Sequence, residues 1–273
     1  MKPITIIGAG AVGRSFVRAL TDAGTAPAGI FSENGRSAAK LANAVGARYF
    51  GRLNEEMTLS KTVIIAVPDS RIKDVVATLI GRKGSFRGKV FLHTSGGLTS
   101  DELLPLKKRG ASIGSIHPLQ TFAGKARTAS VNDIYCALEG DIPSVKRASG
   151  IARSLGMKYF VIRKKDKVAY HIAAVFASNY LVTVLSVAER VAKQFGLQEK
   201  DYRKIMRPLV LQTIGNVLET SPAEALTGPI MRGDGITVAK HIKELESVRS
   251  LKQFLPLYAV LGIETAHLAQ RRK

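Results

Sequence analysis

The sequence has one cysteine, no tryptophan and half as many acidic residues as basic ones. Cys136 alone cannot form a disulfide within the chain, and such usage is typical of a reducing cytoplasm, where we expect the protein to reside. One thiol also provides no zinc-binding cluster, and the histidines show no HExxH-type spacing, so we predict no metal site. A GxSxG elbow is missing as well, which argues against a serine hydrolase of that type. The five histidines are His93, His117, His171, His241 and His267.

The shortage of acidic residues leaves 41 Lys and Arg against 21 Asp and Glu, a net charge of +20. Such a charge raises the possibility of a nucleic-acid partner. The basic residues are dispersed, however, and lack the interleaved aromatics of a base-stacking surface. We therefore do not expect nucleic acid as a partner, and we interpret the charge as a solvated surface that also attracts an anionic cofactor and a small anionic substrate.

Charged residues are missing altogether from residues 168–188, a stretch that approaches the length of a membrane span. This stretch carries His171, Ser178 and Asn179, and it follows a complete nucleotide-binding pattern. A helix that is apolar nearly all round is also typical of a buried central helix. We expect no membrane association, and we expect the stretch to lie in the core of a homodimer.

The most informative pattern present is at the N-terminus, where Ile4-Thr-Ile-Ile7 leads into Gly8-Ala-Gly-Ala-Val-Gly13. A GxGxxG sequence between a strand and a helix binds dinucleotides, because its backbone amides and the helix N-terminus face the phosphates. We therefore predict that the cofactor contacts Gly8, Gly10, Ala11, Val12 and Gly13.

Strand-like runs alternate with helical patterns through residues 1–163, which predicts an α/β domain with a doubly wound, parallel Rossmann sheet. Residues 164–273 read as an all-helical domain for substrate binding and dimerisation, with a Gly- and Pro-rich loop at 221–235. The predicted helices cover Val168 to about Phe195, Gln198–Glu219, Thr237–Arg249 and Pro256–Arg272. The predicted strands lie at Ile4–Ile7, Gly29–Phe31, Thr62–Val67, Lys89–Leu92, Ser112–Ile116 and Tyr159–Ile162.

Two loops follow strand-like runs at positions where parallel sheets bind ligands. Val67 and Pro68 belong to one loop, and Ser95 belongs to the other. We predict that these three residues also contact the cofactor, with ordinary turn chemistry as the alternative.

Several further motifs resemble the family that pairs a Rossmann-like domain with the domain of unknown function 2520. These proteins are distant relatives of 6-phosphogluconate dehydrogenase, pyrroline-5-carboxylate reductase and ketopantoate reductase. The resemblance implies a nicotinamide-dependent reductase with a helical dimerisation domain, and members of this group are linked to ketopantoate reduction. The motifs are Gly8–Gly13, Ala66-Val-Pro-Asp69, His93-Thr-Ser-Gly96, Gly114-Ser-Ile-His-Pro-Leu-Gln-Thr-Phe122, His171-Ile-Ala-Ala-Val-Phe-Ala-Ser-Asn179, and Ala225-Leu-Thr-Gly-Pro-Ile-Met-Arg-Gly-Asp234 with Thr237-Val and His241.

The residues after the second strand bear on the choice between NADP and NAD. Relatives often have Ser-Arg-Ser here, whereas this chain has Ser32-Glu-Asn-Gly-Arg-Ser37. Glu33 is placed to bind the ribose hydroxyls of NAD, and Arg36 is placed to bind the 2′-phosphate of NADP. We predict that Ser32 and Arg36 contact the cofactor, with NADP as the first choice and NAD as the alternative.

Reduction of a carbonyl also needs a proton donor and groups that orient the substrate. His171 is the leading candidate for the donor, with Asn179 and Ser178 near the same helical face as orienting groups. His117 is an orienting group or an alternative acid. Related dehydrogenases have a catalytic lysine in a Lys-x-x-x-Asn pattern, but this chain has Val175 at the lysine position. His171 or Lys167 is therefore expected to replace that lysine. The alternative for His171 is a structural histidine in a buried helix.

Arg232 and Asp234 complete the predicted site, with Arg232 able to bind a substrate carboxylate through two hydrogen bonds. The alternative for both is a salt-bridged loop or a dimer contact. The sequence thus predicts an NAD(P)-dependent reductase of a small 2-oxo acid, with ketopantoate as the first guess. Reduction of a cyclic imine such as pyrroline-5-carboxylate, and a non-catalytic nucleotide-responsive regulatory or nucleic-acid-binding protein, are the other hypotheses.

Overall fold

The computed structural model describes residues 3–33, 35–51, 53, 59–122 and 130–271. Contacts divide the chain into two compact units, Met1–Ser178 and Asn179–Lys273. The sequence pattern places a boundary near residue 163, where the last strand ends. The contact boundary comes later because the helix after that strand packs on the first unit through Lys167, Tyr170 and His171.

Among the residues that the structure describes, the first unit contains an eight-stranded sheet with the order β3-β2-β1-β4-β5-β6-β7-β8. This confirms the predicted α/β class and the Rossmann-like connection, since the strand order reverses between β1 and β4. The strands are β1 Ile4–Ile7, β2 Gly29–Phe31, β3 Arg48–Phe50, β4 Thr62–Ile65, β5 Val90–His93, β6 Ser112–Pro118, β7 Tyr135–Gly140 and β8 Lys158–Val161.

The sequence predicts a parallel sheet, and the observed sheet is mostly parallel, with one antiparallel pair of strands. β7 pairs antiparallel with β6, so that Pro118 at the end of β6 lies opposite Cys136 near the start of β7. The other pairs are parallel. The end of β6 and the start of β7 therefore lie at the same edge of the sheet. Parallel pairing would need a crossover to the opposite edge.

Helices cover both faces of this sheet, and a buried apolar cluster lies on each face. The amphipathic α1 shows why: Phe16, Val17 and Leu20 recur on one side of the helix and are completely buried. The helices of this unit are α1 Ala11–Asp22, α2 Gly35–Ala44, α3 Ile72–Ile80, α4 Leu104–Lys108, α5 Ile142–Ser154 and α6 Lys167–Val175.

The described part of the second unit is helical, and its long helices match the predicted ones within a few residues. The first predicted helix ends as expected at Gly196, whose φ of +85° suits glycine. Two short helices interrupt the Gly- and Pro-rich loop. The helices are α7 Leu181–Ala192, α8 Glu199–Glu219, α9 Pro222–Ala225, α10 Pro229–Arg232, α11 Gly235–Ser247 and α12 Leu255–Gln270.

The helical run Lys164–Phe195 is long and apolar enough to cross a membrane by length and composition, with a mean hydropathy of 1.6 in its most apolar window. None of that window is buried among the residues that the structure describes. Central helices of soluble proteins pass the same test. That the protein does not associate with a membrane therefore stays a prediction.

Candidate active site

The glycine-rich turn after β1 has the shape of a diphosphate cradle. Gly8 has a φ of +106°, and a Cβ there would overlap the carbonyl oxygen of Ala66; a Cβ on Gly13 would overlap the carbonyl oxygen of Gly8. A Cβ on Gly10, by contrast, would meet nothing within 4 Å among the described residues. Two of the glycines therefore permit the tight turn, while the third leaves open space for a ligand above the backbone.

The start of α1 is suited to an anion at this turn. Gly10 is the N-cap residue and provides no side-chain hydrogen bond, and the first turn contains no acidic residue. Ala11 and Val12 begin the helix, so their amides are among those without a partner inside it. Free amides and the positive end of the helix dipole favour a phosphate, which fits the dinucleotide predicted from the sequence.

A cleft of about 270 Å³ extends from this turn towards the ends of β2 and β4. It brings together five of the predicted cofactor residues, namely Gly8, Gly10, Ser32, Val67 and Pro68. Arg36 is exposed on α2 and is not among the residues that line the cleft. Glu33 and Arg71 line it and form an ion pair there.

Ser95 follows β5, as predicted, but its side chain has a structural role. Its hydroxyl donates to Asp69 Oδ2 over 2.8 Å and accepts from the amide of Leu98. Its amide donates to Nδ1 of His93, whose Nε2 donates to the carbonyl of Thr99. This network fixes the loop that continues into Gly96, so Ser95 shapes the site and its hydroxyl is already engaged.

His117 and His171 converge over Gly96. A Cβ on Gly96 would lie 2.6 Å from His171 Nδ1 and 2.8 Å from His117 Nε2. The two imidazole rings are 6.0 Å apart and nearly perpendicular. The structure therefore brings two predicted site residues together, from β6 and α6, against Gly96, where any larger side chain would meet the two rings.

The two imidazoles differ in their hydrogen bonds. His117 Nδ1 lies 2.6 Å from the hydroxyl of Tyr170, which leaves its Nε2 directed over Gly96. His171 Nδ1 is buried and has no hydrogen-bond partner among the described residues. A buried polar atom without a partner is costly, and a ligand at this position would provide one.

The surroundings keep His117 neutral. Burial lowers its pKa most, the charges of Lys167 and His171 act in the same direction, and together they bring the pKa to about 4. Burial likewise lowers the pKa of His93 to about 3, with Lys167 again contributing. When Tyr170 donates to Nδ1, neutral His117 carries its proton on Nε2, the nitrogen that lies against Gly96.

Lys167 lies behind these histidines in a buried polar network. Its side chain is completely buried, its ammonium donates to the Ser115 hydroxyl, and Nζ lies 4.0 Å from Glu139 Oε2. Ser100 donates to both oxygens of Glu139 through its amide and its hydroxyl. Burial lowers the pKa of Lys167 to about 8, although the charges of Glu139 and Asp69 oppose that shift.

The remaining predicted residues lie elsewhere in the chain. Ser178 and Asn179 lie in the π-helical segment Phe176–Tyr180, where Asn179 is exposed and begins the second unit. Both carboxylate oxygens of Asp234 accept hydrogen bonds from Thr237, so Asp234 caps α11. Arg232 ends α10 in the same unit. Capping occupies Asp234, whereas the roles of Ser178, Asn179 and Arg232 stay predictions.

Sequence reasoning missed Tyr170, Gly96 and Glu139. Tyr170 and His117 are 53 residues apart, and no local pattern links them. Glu139 had a signal, because a carboxylate inside the apolar strand Tyr135-Cys-Ala-Leu-Glu139 indicates a buried partner of opposite charge. That partner is Lys167.

Comparisons with known proteins agree with this architecture. Residues 2–118 match a family model for a Rossmann-like domain, and residues 134–265 match the domain of unknown function DUF2520. No curated protein matches the sequence.

Solved structures similar to this chain cover almost its whole length. A Bacteroides fragilis protein described as an NADP oxidoreductase is 24% identical, with a TM-score of 0.81 and coverage of 97% of this chain and 98% of its own. Protein TM1727 from Thermotoga maritima is 30% identical, with a TM-score of 0.74 and coverage of 98% of each chain. A reductive aminase from Aspergillus terreus in complex with NADPH4, cyclohexanone and allyl amine is 16% identical, with a TM-score of 0.66 and coverage of 99% and 93%.

Proposed function

Since the chain belongs to the family that joins a Rossmann-like domain to the DUF2520 domain, we propose that it is a cytoplasmic NADPH-dependent reductase of a small, anionic carbonyl compound. The observation that carries this proposal is the convergence of His117 Nε2 and His171 Nδ1 over Gly96. Gly96 and the diphosphate cradle follow β5 and β1, whose carboxyl ends lie at the same edge of the sheet. A site for chemistry and a site for a dinucleotide therefore share one edge, as in other open α/β sheets.

The chain's residues have separate roles in this proposal. When bound, the nicotinamide supplies a hydride to the substrate carbon. His117 donates a hydrogen bond from Nε2 to the substrate oxygen as negative charge develops there. His171 Nδ1 transfers a proton to that oxygen and completes the alcohol. Tyr170 selects the tautomer of His117, and the Ser95 network holds Gly96 in place.

The two imidazoles favour a carbonyl substrate, because the oxygen of a carbonyl gains a full negative charge during reduction and needs donors. A 2-oxo acid is the first class to test, with ketopantoate as its first member. Reduction of a cyclic imine is the second candidate, and the similarity of the fold to a reductive aminase supports it. A protonated imine loses its charge on reduction and depends less on an acid.

The test measures NADPH consumption with a panel of 2-oxo acids and cyclic imines, in the wild type and in His171→Ala. We expect turnover with a 2-oxo acid and a fall in kcat of about 10²-fold or more in His171→Ala, with NADPH affinity retained. His267→Ala is the matched control, because His267 is exposed on α12 and pairs with Glu264. It should leave kcat unchanged.

Each other outcome has a clear reading. Turnover of imines alone, insensitive to His171→Ala, would replace the carbonyl proposal with imine reduction. NADPH binding without turnover of any substrate, together with salt-dependent binding of nucleic acid, would favour the regulatory hypothesis. No binding of either pyridine nucleotide would exclude the proposal.

We also propose that a second copy of this chain covers the apolar run Lys164–Phe195. Large apolar side chains on this run are exposed, among them Val168, Ile172, Phe176 and Val182. Contiguous apolar surface of this kind marks an interaction site. Light scattering of the purified protein should give a dimer mass without detergent; a monomer, or a requirement for detergent, would contradict the proposal.

A further inference from the structure

An ion pair lies at the cofactor cleft, beyond the diphosphate cradle. Glu33, two residues after β2, accepts hydrogen bonds from Arg71 Nη2 on both carboxylate oxygens, over 2.9 and 3.0 Å. Both residues line the same cleft as Gly8 and Gly10. The residue that the sequence marks as a ligand for ribose hydroxyls therefore already has a cationic partner.

Arg71 serves two carboxylates at once. Its Nε lies 2.9 Å from Asp74 Oδ2, while Nη2 binds Glu33. The side chains of Arg71 and Glu33 are 49% and 69% exposed. Exposed ion pairs contribute little to stability, so a ligand with a higher charge is able to replace Glu33 as the partner of Arg71.

We propose that Arg71 is the ligand for the 2′-phosphate of NADP, and that Glu33 is its internal competitor, which limits the preference for NADP over NAD. This inference rests on the proposed function. Arg71 exchanges the carboxylate of Glu33 for the phosphate when NADP binds. With NAD, which has no 2′-phosphate, the Arg71–Glu33 pair stays intact.

The chemistry of the groups supports this exchange. A phosphate ester carries more charge than a carboxylate and accepts two parallel hydrogen bonds from a guanidinium. Glu33 repels the same phosphate, because like charges at short range cost free energy. Arg36 is the basic residue that sequence spacing favours, but Arg71 is the one that lines the cleft. Two opposed effects, one from Arg71 and one from Glu33, thus act on a single phosphate.

The test compares two probes that lack the nicotinamide and therefore report on binding alone. Adenosine 2′,5′-bisphosphate carries the 2′-phosphate, and 5′-AMP does not. Calorimetry measures the Kd of each for the wild type, Arg71→Ala, Glu33→Gln and the double variant. Lys73→Ala is the matched control, since Lys73 is an exposed cation two residues further along the chain and is not among the described residues that line the cleft.

We expect Arg71→Ala to weaken binding of the bisphosphate about tenfold or more, because a charged hydrogen-bonded contact is lost. Glu33→Gln should strengthen it severalfold, and this gain should be smaller in the double variant, since Arg71 mediates part of it. The Kd of 5′-AMP should change less than about twofold in every variant. Lys73→Ala should behave as the wild type, and melting temperatures confirm that each variant is folded.

Three results would overturn the inference. Equal weakening of both probes by Arg71→Ala would show that Arg71 contacts the shared part of the nucleotide. Weaker 5′-AMP binding in Glu33→Gln, with the bisphosphate unaffected, would assign Glu33 to the ribose hydroxyls and NAD as the preferred cofactor. Binding of both probes without any effect of either variant would exclude the exchange and leave the proposed function standing, whereas a wild type that binds neither probe would exclude both.

Discussion

Lys167 and Glu139 face each other inside the first unit, with Nζ 4.0 Å from Oε2 and their side chains 0% and 3% exposed. Each has a further partner, Ser115 for the lysine and Ser100 for the glutamate. Removal of one member of a buried pair leaves the other charge without compensation. The pair therefore joins the start of α6, which carries His171, to the sheet that carries His117.

We predict that Lys167→Met lowers the free energy of unfolding by about 3–5 kcal/mol, since the buried carboxylate of Glu139 loses its cation. Lys164→Met is the matched control, because Lys164 forms a 2.7 Å pair with Asp101 on the exposed surface. Exposed pairs contribute about 1 kcal/mol or less. Urea denaturation at neutral pH measures both variants.

The double variant Lys167→Met/Glu139→Gln tests the cause of the loss. It should be more stable than the sum of the two single changes predicts, because no unpaired charge then remains buried. Equal stability losses in Lys167→Met and Lys164→Met would show that the buried pair has no special role.

The histidines predict a loss of stability in acid. The folded pKa values of His117 and His93, about 4 and about 3, lie below the ordinary 6.5. Between these values and 6.5 the unfolded chain binds more protons, so stability rises with pH. Their contribution is complete above pH 6.5 and is lost as pH falls through about 4 and about 3.

Melting temperatures measured across this interval check the prediction, with His117→Gln as the comparison. The variant should lose part of the slope between pH 6.5 and about 4, because one of the two shifted histidines is gone. Identical slopes in both proteins would show that His117 is not held neutral. Lys167, His171 and Tyr170 surround His117, and none of them is altered in this comparison.

The diphosphate cradle predicts that one substitution weakens cofactor binding and leaves the stability of the fold nearly unchanged. Gly10 has a φ of −68°, which alanine adopts, and a Cβ there would meet nothing within 4 Å. We expect Gly10→Ala to weaken binding of NADPH about tenfold or more, since the methyl group occupies the approach to the backbone amides. Its free energy of unfolding should fall by less than about 1 kcal/mol, the cost of a poorer N-cap.

Gly150→Ala is the control for this change. Gly150 lies in α5 with nothing within 4 Å of a Cβ, so alanine there should stabilise the helix slightly and leave NADPH binding unchanged. Titration of NADPH by its fluorescence measures the affinity of both variants. Unaltered affinity in Gly10→Ala would exclude the glycine-rich turn as the diphosphate site.

Local patterns were enough to predict β1, β2 and β4, the glycine-rich turn and the long helices of the second unit. GxGxxG specifies a backbone shape within six residues, and apolar periodicity specifies which face of a helix is buried. β3 has only three residues, and its sequence Arg48-Tyr-Phe50 has no repeat that separates it from a turn. It was missed for that reason.

The candidate site was predictable only in part. His117 and His171 were found because a lone histidine near a strand end or a helix start is a plausible proton donor. Their meeting point over Gly96 depends on three elements, β5, β6 and α6, and no pattern in the sequence records such long-range contacts. The Arg71–Glu33 pair, 38 residues apart, could not be predicted from the sequence for the same reason.

Tyr170 provides the last prediction. Its hydroxyl lies 2.6 Å from His117 Nδ1, and when it donates there it selects the tautomer with the proton on Nε2. Tyr170→Phe removes this selection, and the loss of one hydrogen bond worth about 1–1.5 kcal/mol corresponds to a fall in kcat of about tenfold. KM should change little, because the substrate still meets both rings, and the melting temperature should stay close to that of the wild type.

Tyr135→Phe, on an exposed tyrosine of β7, is the matched control and should leave kcat unaltered. Nitrogen NMR of the imidazoles provides a second measurement, in which the His117 signals should shift towards a mixture of tautomers in Tyr170→Phe alone. An unchanged kcat together with unchanged His117 signals would remove Tyr170 from the site and leave His117 without a reason to hold its proton on Nε2.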